Sequence, residues 1–298
     1  MKPVTFLTFL VVALYIFCMN AVGEKVRGKY FDRFFLIIFE NTDYAEAVKD
    51  PYLKSLVNRP DGILLSNFYA VAHPSEPNYI AQIYGSTVGI LDDADYSIPG
   101  ENLVDLLEKK KISWKSYNEN YPGNCYPYSF GPGNNSYARK HNPFISLETI
   151  YKSPERCAKI VNASQLDIDI KKDDVPQFSY YVPNQLNDAH DTNMTFAMGW
   201  FKSWLEPKLK QPAFTENTLF FIVFDEAESK VTNQIFASLF GSPVKPNPTH
   251  NDSTPYTHYS VLKTVEDNWN LGSLGRNDTK ATPFTKYLVY PKKDKEEH

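Results

Sequence analysis

The sequence Phe34-Phe35-Leu36-Ile37-Ile38-Phe39 runs directly into Glu40-Asn41. Six apolar residues rich in aromatic and β-branched side chains predict a strand that is buried on both faces of a sheet. Glu40 and Asn41 follow where this strand should end. In an open α/β sheet, ligands bind beyond the carboxyl ends of the strands. The stretch therefore predicts a central strand and two polar side chains at a ligand-binding edge.

Two further stretches join an apolar run to a polar cluster. Residues 67–72 lead into His73-Pro74-Ser75-Glu76-Pro77-Asn78, and residues 219–224 lead into Asp225-Glu226. If all three runs are strands of one sheet, the polar clusters converge on one crevice. They supply three carboxylates, an amide oxygen and a hydroxyl. We therefore expect a divalent metal ion beside a serine nucleophile; the all-oxygen set leaves calcium, magnesium, manganese, iron and zinc open.

The rest of the chain alternates between strand and helix patterns. Helices are predicted at residues 76–84, 102–111, 195–210 and 259–270, and strands at 112–117, 178–182 and 234–240. Residues 118–142, rich in Tyr, Pro, Gly and Asn, predict a long ordered loop. Residues 24–298 are expected to form one domain. The alternation predicts the α/β class, as a three-layer α/β/α sandwich with a mostly parallel central sheet.

The composition limits the classes of partner. The 298 residues carry a net charge of -4, so the chain has no polyanion-binding character as a whole, and nucleic acid is not expected as a partner. The 20 Phe and 20 Tyr residues provide ample core material for a large domain. Nothing in the sequence indicates the oligomeric state.

The first 23 residues have the pattern of a secretory signal peptide. Lys2 supplies a positive charge, residues 4–18 are apolar, and Ala21-Val22-Gly23 offers a small-residue cleavage site. The apolar stretch is short for a membrane span, and an uncleaved anchor is the alternative. No later stretch is long and apolar enough to cross a bilayer. We therefore expect a secreted protein, located outside the cell or in the cell wall.

Cysteines and glycosylation sequons agree with secretion. Cys18 would leave with the signal peptide, and the remaining pair, Cys125 and Cys157, is expected to form a disulfide in an oxidising compartment. Two free buried thiols are the alternative. Five Asn-X-Ser/Thr sequons predict N-glycosylation at the surface: Asn134, Asn162, Asn193, Asn251 and Asn277.

Ser75 is the candidate nucleophile. Pro77 fits the first turn of a helix, so Ser75 would lie at or near a helix N-terminus. The free N–H groups and the positive end of the helix dipole would favour a serine alkoxide and bind phosphate oxygens. An ordinary N-cap serine is the alternative.

The adjacent acids Asp225 and Glu226 are candidate metal ligands. Two ionised carboxylates at the end of a buried strand repel each other, and a cation between them removes that cost. Glu40 and Asn41 fit the same role, although a Glu-Asn pair also occurs as ordinary punctuation between a strand and a turn.

Three histidines are candidates for phosphate chemistry. His190 lies between Asp188 and Asp191, which should raise its pKa and favour the cation. A protonated histidine can bind phosphate or protonate a leaving group, whereas an ordinary surface histidine is the alternative. His258 is a similar candidate, and His73 precedes the serine closely enough to line the same pocket.

Taken together and in order, these clusters resemble the phosphoesterase family of secreted acid phosphatases and bacterial phospholipases C, and most of all its fungal acid phosphatases. The resemblance spans about residues 34–270. It is carried by five motifs: Phe39-Glu40-Asn41, His73-Pro74-Ser75-Glu76-Pro77-Asn78-Tyr79, Tyr181-Val182-Pro183-Asn184 with Asn187-Asp188-Ala189-His190-Asp191, Phe224-Asp225-Glu226, and Thr257-His258-Tyr259-Ser260-Val261-Leu262.

The resemblance implies an alkaline-phosphatase-like fold and a role for each residue. Ser75 would be the nucleophile, and His190 and His258 would contact the phosphate, with Asp188, His73 and Asn78 nearby. The metal ligands would be Glu40, Asn41, Ser75, Asp225 and Glu226. Family members often have glycines after the Asp-Glu pair, where this chain has Ala227-Glu228-Ser229-Lys230, so the rim of the pocket is expected to differ.

The expected activity is that of a secreted acid phosphatase. It would hydrolyse small phosphate monoesters through a metal-activated serine and a phosphoserine intermediate. A phospholipase C-type phosphodiesterase is the close alternative and would need an apolar groove, which the aromatic residues between Tyr121 and Tyr137 could line. The second alternative is a secreted glycoprotein that binds a ligand without catalysis.

Overall fold

The computed structural model describes residues 25–133 and 136–290. The predicted signal peptide, residues 1–23, and the sequon at Asn134 lie outside the described residues. Within the described part, ten strands are found: β1 Arg33–Phe39, β2 Gly62–Leu65, β3 Phe68–Tyr69, β4 Trp114–Asn118, β5 Ile160–Asn162, β6 Phe178–Val182, β7 Thr218–Phe224, β8 Ala237–Phe240, β9 Asn251–Asp252 and β10 Tyr256–Thr257.

Eight of these strands form the central sheet, in the order β5-β4-β6-β1-β7-β8-β2-β9. Every neighbouring pair is parallel except the two that involve β8, which runs antiparallel to β7 and to β2. The predicted α/β class with a mostly parallel central sheet is therefore confirmed. Strands β6, β1 and β7 lie side by side in its centre, so their carboxyl ends meet at one edge.

Helices cover both faces of the sheet. They span Tyr44–Ala47, Pro51–Val57, Ser75–Tyr84, Leu103–Lys109, Glu148–Tyr151, Pro154–Cys157, Gln165–Lys171, Met194–Lys208, Pro212–Thr215 and Tyr259–Trp269. Short 3-10 turns span Arg139–His141, Pro143–Ser146 and Asn277–Thr279.

Alternate side chains of β1 pack into opposite layers. The ring of Phe34 contacts Phe31, which packs edge-on against Trp269 of the last helix. The ring of Phe35 contacts Trp204 and Phe214 on the other face. Both faces are thus buried, which explains why β1 is apolar at every position instead of alternating with polar residues.

The predicted strand at residues 67–72 is wrong in extent and in place. The central sheet instead uses Gly62–Leu65, and only Phe68–Tyr69 is a strand, paired with Tyr256–Thr257 in a separate two-stranded sheet. The N–H groups of Val71 and Ala72 both donate to the side chain of Asn78, so they cannot join a strand ladder. The serine cluster therefore follows a loop, and hydrogen bonds to Asn78 of the following helix hold this loop in place.

The other predicted elements are found with small shifts at their ends. The strand predicted at residues 234–240 shortens to Ala237–Phe240. Cys125 and Cys157 are joined by the predicted disulfide, with their Cα atoms 5.5 Å apart. Within residues 25–133 and 136–290, no helix is both long enough and apolar enough to span a bilayer.

Candidate active site

The register of the two central strands brings the first two acids together. Phe39 and Phe224 are direct partners across β1 and β7, so Glu40 and Asp225 leave the sheet side by side. The N–H of Asp225 donates to the carbonyl of Phe39 at 2.9 Å. The N–H of Glu40 donates to the carbonyl of Asp188 at 2.9 Å, which brings the segment after β6 against the same edge. Glu40, Asp188 and Asp225 are all buried.

Ser75 begins the helix Ser75–Tyr84, which we call the serine helix. Its hydroxyl is buried and donates to Glu40 Oε2 at 3.1 Å, with Glu226 Oε1 at 3.4 Å. One turn further along, Tyr79 donates its hydroxyl hydrogen to the other oxygen of Glu40. The predicted nucleophile and the acids at two strand ends therefore form one cluster.

The oxygen atoms around Asn41 fit a divalent cation. One end of the Asn41 amide lies 3.2 Å from Glu40 Oε2 and 3.3 Å from Asp225 Oδ1. With nitrogen there the amide donates to both carboxylates, and with oxygen there it becomes a third ligand atom between them. Asp225 Oδ2 is buried and has no hydrogen-bond donor among the described residues. Hard cations prefer such a set of carboxylate and amide oxygens.

The acids of the cluster hold protons more tightly than free carboxyl groups. Burial raises the pKa of Glu40, and burial together with the charge of Glu40 raises the pKa values of Asp188 and Asp225 well above their usual range. Burial and the neighbouring Glu40 raise the pKa of Glu226 to about 8. Each shift has the sign expected for carboxylates that repel one another in a poorly solvated place.

His141 is a site residue that the sequence analysis missed. It is buried, and its Nε2 lies 3.4 Å from Glu40 Oε2 while its Nδ1 lies 3.6 Å from Asp188 Oδ2. Its ring stacks on Tyr79 with centroids 5.3 Å apart. Burial and the nearby Lys140 lower the pKa of His141 well below its usual value, so the ring is neutral. A neutral imidazole can ligate a metal, and Glu40, His141 and His190 form a second possible ligand group.

Lys140 is the second missed residue, and it lies next to His190. Its Nζ is 3.3 Å from His190 Nε2 and 3.0 Å from Asp93 Oδ2. Burial alone would lower the pKa of Lys140, but Glu40 and Asp93 outweigh it and raise that pKa. His190 Nδ1 lies 2.7 Å from Asp191 Oδ1, which fixes the orientation of the ring. A fixed ammonium beside a histidine can attract an anion.

One signal could have revealed these two residues. Arg139-Lys140-His141 is a run of three basic side chains inside an aromatic, mostly uncharged loop. The run forms a 3-10 turn that packs against the serine helix. No strand precedes it, so the pattern of polar residues at strand ends could not find it.

His73 joins the cluster from the loop before the serine helix. Its Nδ1 contacts Glu226 Oε2. Burial and the charge of Lys230 lower the pKa of His73. Lys230 belongs to the segment Ala227-Glu228-Ser229-Lys230 that follows the two adjacent acids, so this segment brings a positive charge close to His73.

Asn78 and His258 lie at the site, but their polar atoms form hydrogen bonds with other groups of the protein. The amide of Asn78 accepts from Val71 and Ala72 and donates to the carbonyls of Ala72 and Pro74, which uses all of its donors. The ring of His258 donates from Nε2 to the carbonyl of Asp225 at 2.6 Å and accepts at Nδ1 from Gln82 at 2.9 Å. Burial lowers the pKa of His258 to about 4.

A cavity of about 430 Å³ opens beside the acid cluster. Asn41, His190 and Glu228 line it, together with Asn193, one of the predicted glycosylation sites. Asn162, Asn193 and Asn277 are exposed, whereas Asn251 is half-buried. The cavity gives a small ligand access to Asn41 and His190.

A comparison with protein families finds that the phosphoesterase family matches residues 43–272. An acid phosphatase of Aspergillus fumigatus is 41% identical over 269 residues, which are 87% of this chain and 59% of that protein. A phosphate-repressible acid phosphatase of Penicillium chrysogenum is 40% identical over 270 residues, 87% of this chain and 64% of that protein. The chain thus spans about three fifths of the length of these fungal relatives.

A more distant relative and two solved structures complete the comparison. The phosphatidylinositol-3-phosphatase of Mycobacterium tuberculosis is 28% identical over 256 residues, 84% of this chain and 80% of that protein. An alkaline phosphatase superfamily protein from Vibrio parahaemolyticus superposes with a TM-score of 0.55 at 13% identity, covering 91% of this chain and 75% of that chain. The phosphonate monoester hydrolase of Agrobacterium radiobacter gives 0.52 at 11% identity, covering 88% and 78%. The two structures agree with the fold described above.

Proposed function

We propose that this chain, which belongs to the phosphoesterase family, hydrolyses phosphate monoesters with Ser75 as the nucleophile. The observation that carries the proposal is the buried hydroxyl of Ser75, 3.1 Å from one carboxylate and 3.4 Å from another at the end of the central sheet. An N-cap serine with a purely structural role would bond to its own helix, but this hydroxyl donates away from the helix.

The residues around Ser75 suit a resident divalent ion. Glu40, Asn41, Asp225 and Glu226 would hold it together with the Ser75 oxygen, and when bound it would polarise the hydroxyl and the phosphoryl oxygens. The identity and number of such ions are left open, because oxygen ligands accept several hard or borderline cations and His141 and His190 add a nitrogen alternative.

In the first step, Ser75 Oγ attacks phosphorus and forms an O–P bond while the bond to the leaving oxygen breaks. The proton of Ser75 passes to the carboxylates that already accept its hydrogen bond, Glu40 or Glu226. Burial raises the pKa values of both acids, whereas the charge of a bound ion would keep them ionised and able to accept this proton. The product of this step is a phosphoserine at position 75.

His190 and Lys140 act on the substrate side of the cluster. The Lys140 ammonium attracts the phosphate and balances the charge that develops on its oxygens. His190, oriented by Asp191, donates a proton to the leaving oxygen, so that an alcohol departs instead of an alkoxide. A water molecule then gives a proton to His190 and attacks phosphorus from the side that the alcohol has left. The bond to Ser75 breaks, the Ser75 oxygen regains its proton from Glu40 or Glu226, and inorganic phosphate leaves.

His258 and Asn78 support this chemistry from behind. His258 fixes the backbone of Asp225, and Asn78 fixes the loop that carries His73. We therefore assign both to positioning, whereas the sequence alone favoured direct contact with the phosphate.

We also propose that the protein is secreted and glycosylated. The signal-like N-terminus, the Cys125–Cys157 disulfide and the exposed sequons at Asn162, Asn193 and Asn277 support this. In that setting the enzyme would work outside the cell or in the cell wall, on small phosphate esters from its surroundings.

A lipid-linked phosphate is the second candidate substrate. Tyr128 and Phe130 expose 66% and 46% of their surface in the aromatic loop, and Ser129 between them donates to Asp95. Tyr121 and Tyr137 are buried instead, so neither of them would line the predicted apolar groove. The relative named phosphatidylinositol-3-phosphatase makes a lipid monoester the relevant alternative.

The test is hydrolysis of p-nitrophenyl phosphate beside bis-p-nitrophenyl phosphate and phosphatidylinositol-3-phosphate, with and without a chelator. We expect turnover of the small monoester, strongest at acid pH and lost with the chelator. Turnover of the diester alone would replace the proposal with a phosphodiesterase. Turnover of the lipid alone would move it to the second candidate, and turnover of none would overturn it.

A further inference from the structure

Asp93 makes two contacts next to the proposed nucleophile. Its Oδ1 accepts from the N–H of Glu76 at 2.9 Å, and its Oδ2 lies 3.0 Å from Lys140 Nζ. Glu76 is the residue directly after the proposed nucleophile, and Lys140 is the ammonium beside His190. A backbone N–H at a helix N-terminus and an ammonium are both donors that phosphate oxygens can use.

We propose that Asp93 is a specificity-determining residue whose carboxylate occupies part of the phosphate-binding position and is displaced when a phosphate enters. This inference rests on the proposed function. A carboxylate offers a planar pair of oxygens and one negative charge, so it satisfies the same donors as a phosphate but less strongly. An anion must therefore bind these two donors more strongly than the Asp93 carboxylate does, and this favours anions that carry more than one negative charge.

The charge of Asp93 reaches the acid cluster. It contributes, after burial and Glu40, to the raised pKa of Glu226, and it also raises the pKa of Glu76 after burial. A phosphate placed beside Lys140 would feel the same repulsion. The side chains of Asp93 and Lys140 are 26% and 18% exposed, so water and substrate can reach the pair.

The neighbouring acids of the same loop do not share these contacts. Asp92 accepts from the N–H of Ala94 and the hydroxyl of Tyr96. Asp95 pairs with Arg139 at 3.0 Å and accepts from Ser129 at 2.8 Å. The loop thus keeps the hydrogen bonds of Asp92 and Asp95 when Asp93 releases its partners. Asp92 also offers a matched control for the removal of one negative charge.

The experiment compares Asp93→Asn with wild type and with Asp92→Asn. An asparagine oxygen can still accept from the N–H of Glu76, so the loop keeps that bond while the charge is removed. Inorganic phosphate is the probe: its Kd is measured by calorimetry, and its inhibition constant is measured in the p-nitrophenyl phosphate assay. We expect phosphate to bind Asp93→Asn about tenfold more tightly than wild type, and Asp92→Asn within about twofold of wild type.

Each result decides the matter. Tighter phosphate binding by Asp93→Asn alone supports the inference, even if no variant hydrolyses the ester, in which case only the proposed function fails. Unchanged or weaker binding overturns it and leaves Asp93 as a residue that merely orients Lys140. Equal tightening in Asp92→Asn also overturns it, because general charge removal then accounts for the effect. If Asp93→Asn does not fold, Asp93→Ser, which keeps an acceptor for the same N–H, replaces it.

Discussion

Tyr79 donates its hydroxyl hydrogen to Glu40 from a position one helical turn beyond Ser75. Residues four apart on a helix lie on the same face, so Ser75 and Tyr79 reach the two oxygens of one carboxylate. Glu40 in turn follows the central strand of the sheet. The pairing therefore locks the serine helix to the sheet at the point where the reaction is proposed to occur.

Replacing Ser75 with Ala should reduce turnover of a phosphate monoester at least about a thousandfold, because the nucleophile is lost. The fold should persist, since the removed hydroxyl donates only to acids that keep other partners or protons. Rapid acid quenching of the wild type with substrate should trap phosphate on the peptide that contains residue 75, detected by mass spectrometry.

Ser203→Ala is the control for this substitution. Ser203 is exposed on the helix Met194–Lys208 and donates to the carbonyl of Gly199. Its replacement should leave turnover unchanged. Retained activity in Ser75→Ala, or phosphate trapped on another residue, would contradict the proposed nucleophile.

Replacing Tyr79 with Phe should weaken metal binding about ten- to a hundredfold, because a ligand carboxylate that loses its hydrogen-bond donor is less well oriented. The measurement is the melting temperature of each variant at increasing concentrations of a chelator, and it needs no substrate. Tyr84→Phe is the matched control: Tyr84 lies on the same helix but donates to the carbonyl of Pro99 at 2.8 Å. Equal sensitivity of the two variants to the chelator would show that Tyr79 supports the helix and not the metal.

Replacing His258 with Asn should lower kcat without moving the pH at which kcat falls on the alkaline side of the profile. Burial lowers the pKa of His258 to about 4, so the ring is neutral from about pH 5 upward and cannot be the acid that protonates a leaving group there. Its loss frees the carbonyl of Asp225 and disturbs the ligand geometry. If the kcat profile instead lost its alkaline fall in His258→Asn but kept it in His190→Asn, the roles given to the two histidines would have to be exchanged.

The acids at the strand ends could be found from the sequence because the geometry of a buried parallel sheet determines their position. A buried strand must be apolar on both faces, and the residue after it must leave the sheet, so Glu40 and Asp225 had only one edge to occupy. Lys140 and His141 follow no strand. Their position depends on how a long loop packs on the serine helix, and tertiary contacts decide that.

The roles of polar residues were harder to predict than their locations. Asn78 lies one turn into the serine helix, as the sequence predicts, but its amide binds four backbone groups of the preceding loop. Those groups are free only because residues 70–74 do not form a strand. Whether a side chain binds the substrate or the backbone therefore depends on the local backbone conformation. Here the apolar pattern predicted that conformation wrongly, as a strand.

Glu266 gives a test of pH-dependent stability away from the active site. It is buried on the last helix and hydrogen-bonded to Asp278, whose oxygens accept from the N–H groups of Leu274 and Arg276 at 2.9 and 2.7 Å. Burial and the charge of Asp278 raise the pKa of Glu266 to about 8. Asp278 keeps its charge, because hydrogen bonds lower its pKa against the effect of burial. The proton of the pair therefore belongs to Glu266.

A raised pKa in the native state means that the folded protein holds a proton that the unfolded chain releases above about pH 4.3. Stability from this group is thus full below that pH, falls as the pH rises, and stops falling near pH 8. Glu266→Gln has no proton to lose, so its free energy of unfolding relative to wild type should rise by about 1–2 kcal/mol between pH 5 and pH 8. Urea unfolding at both pH values measures this, and the exposed Glu155→Gln should show no such change. Parallel pH curves for Glu266→Gln and wild type would mean that Glu266 is ionised in the folded protein and that a cation or water balances the pair.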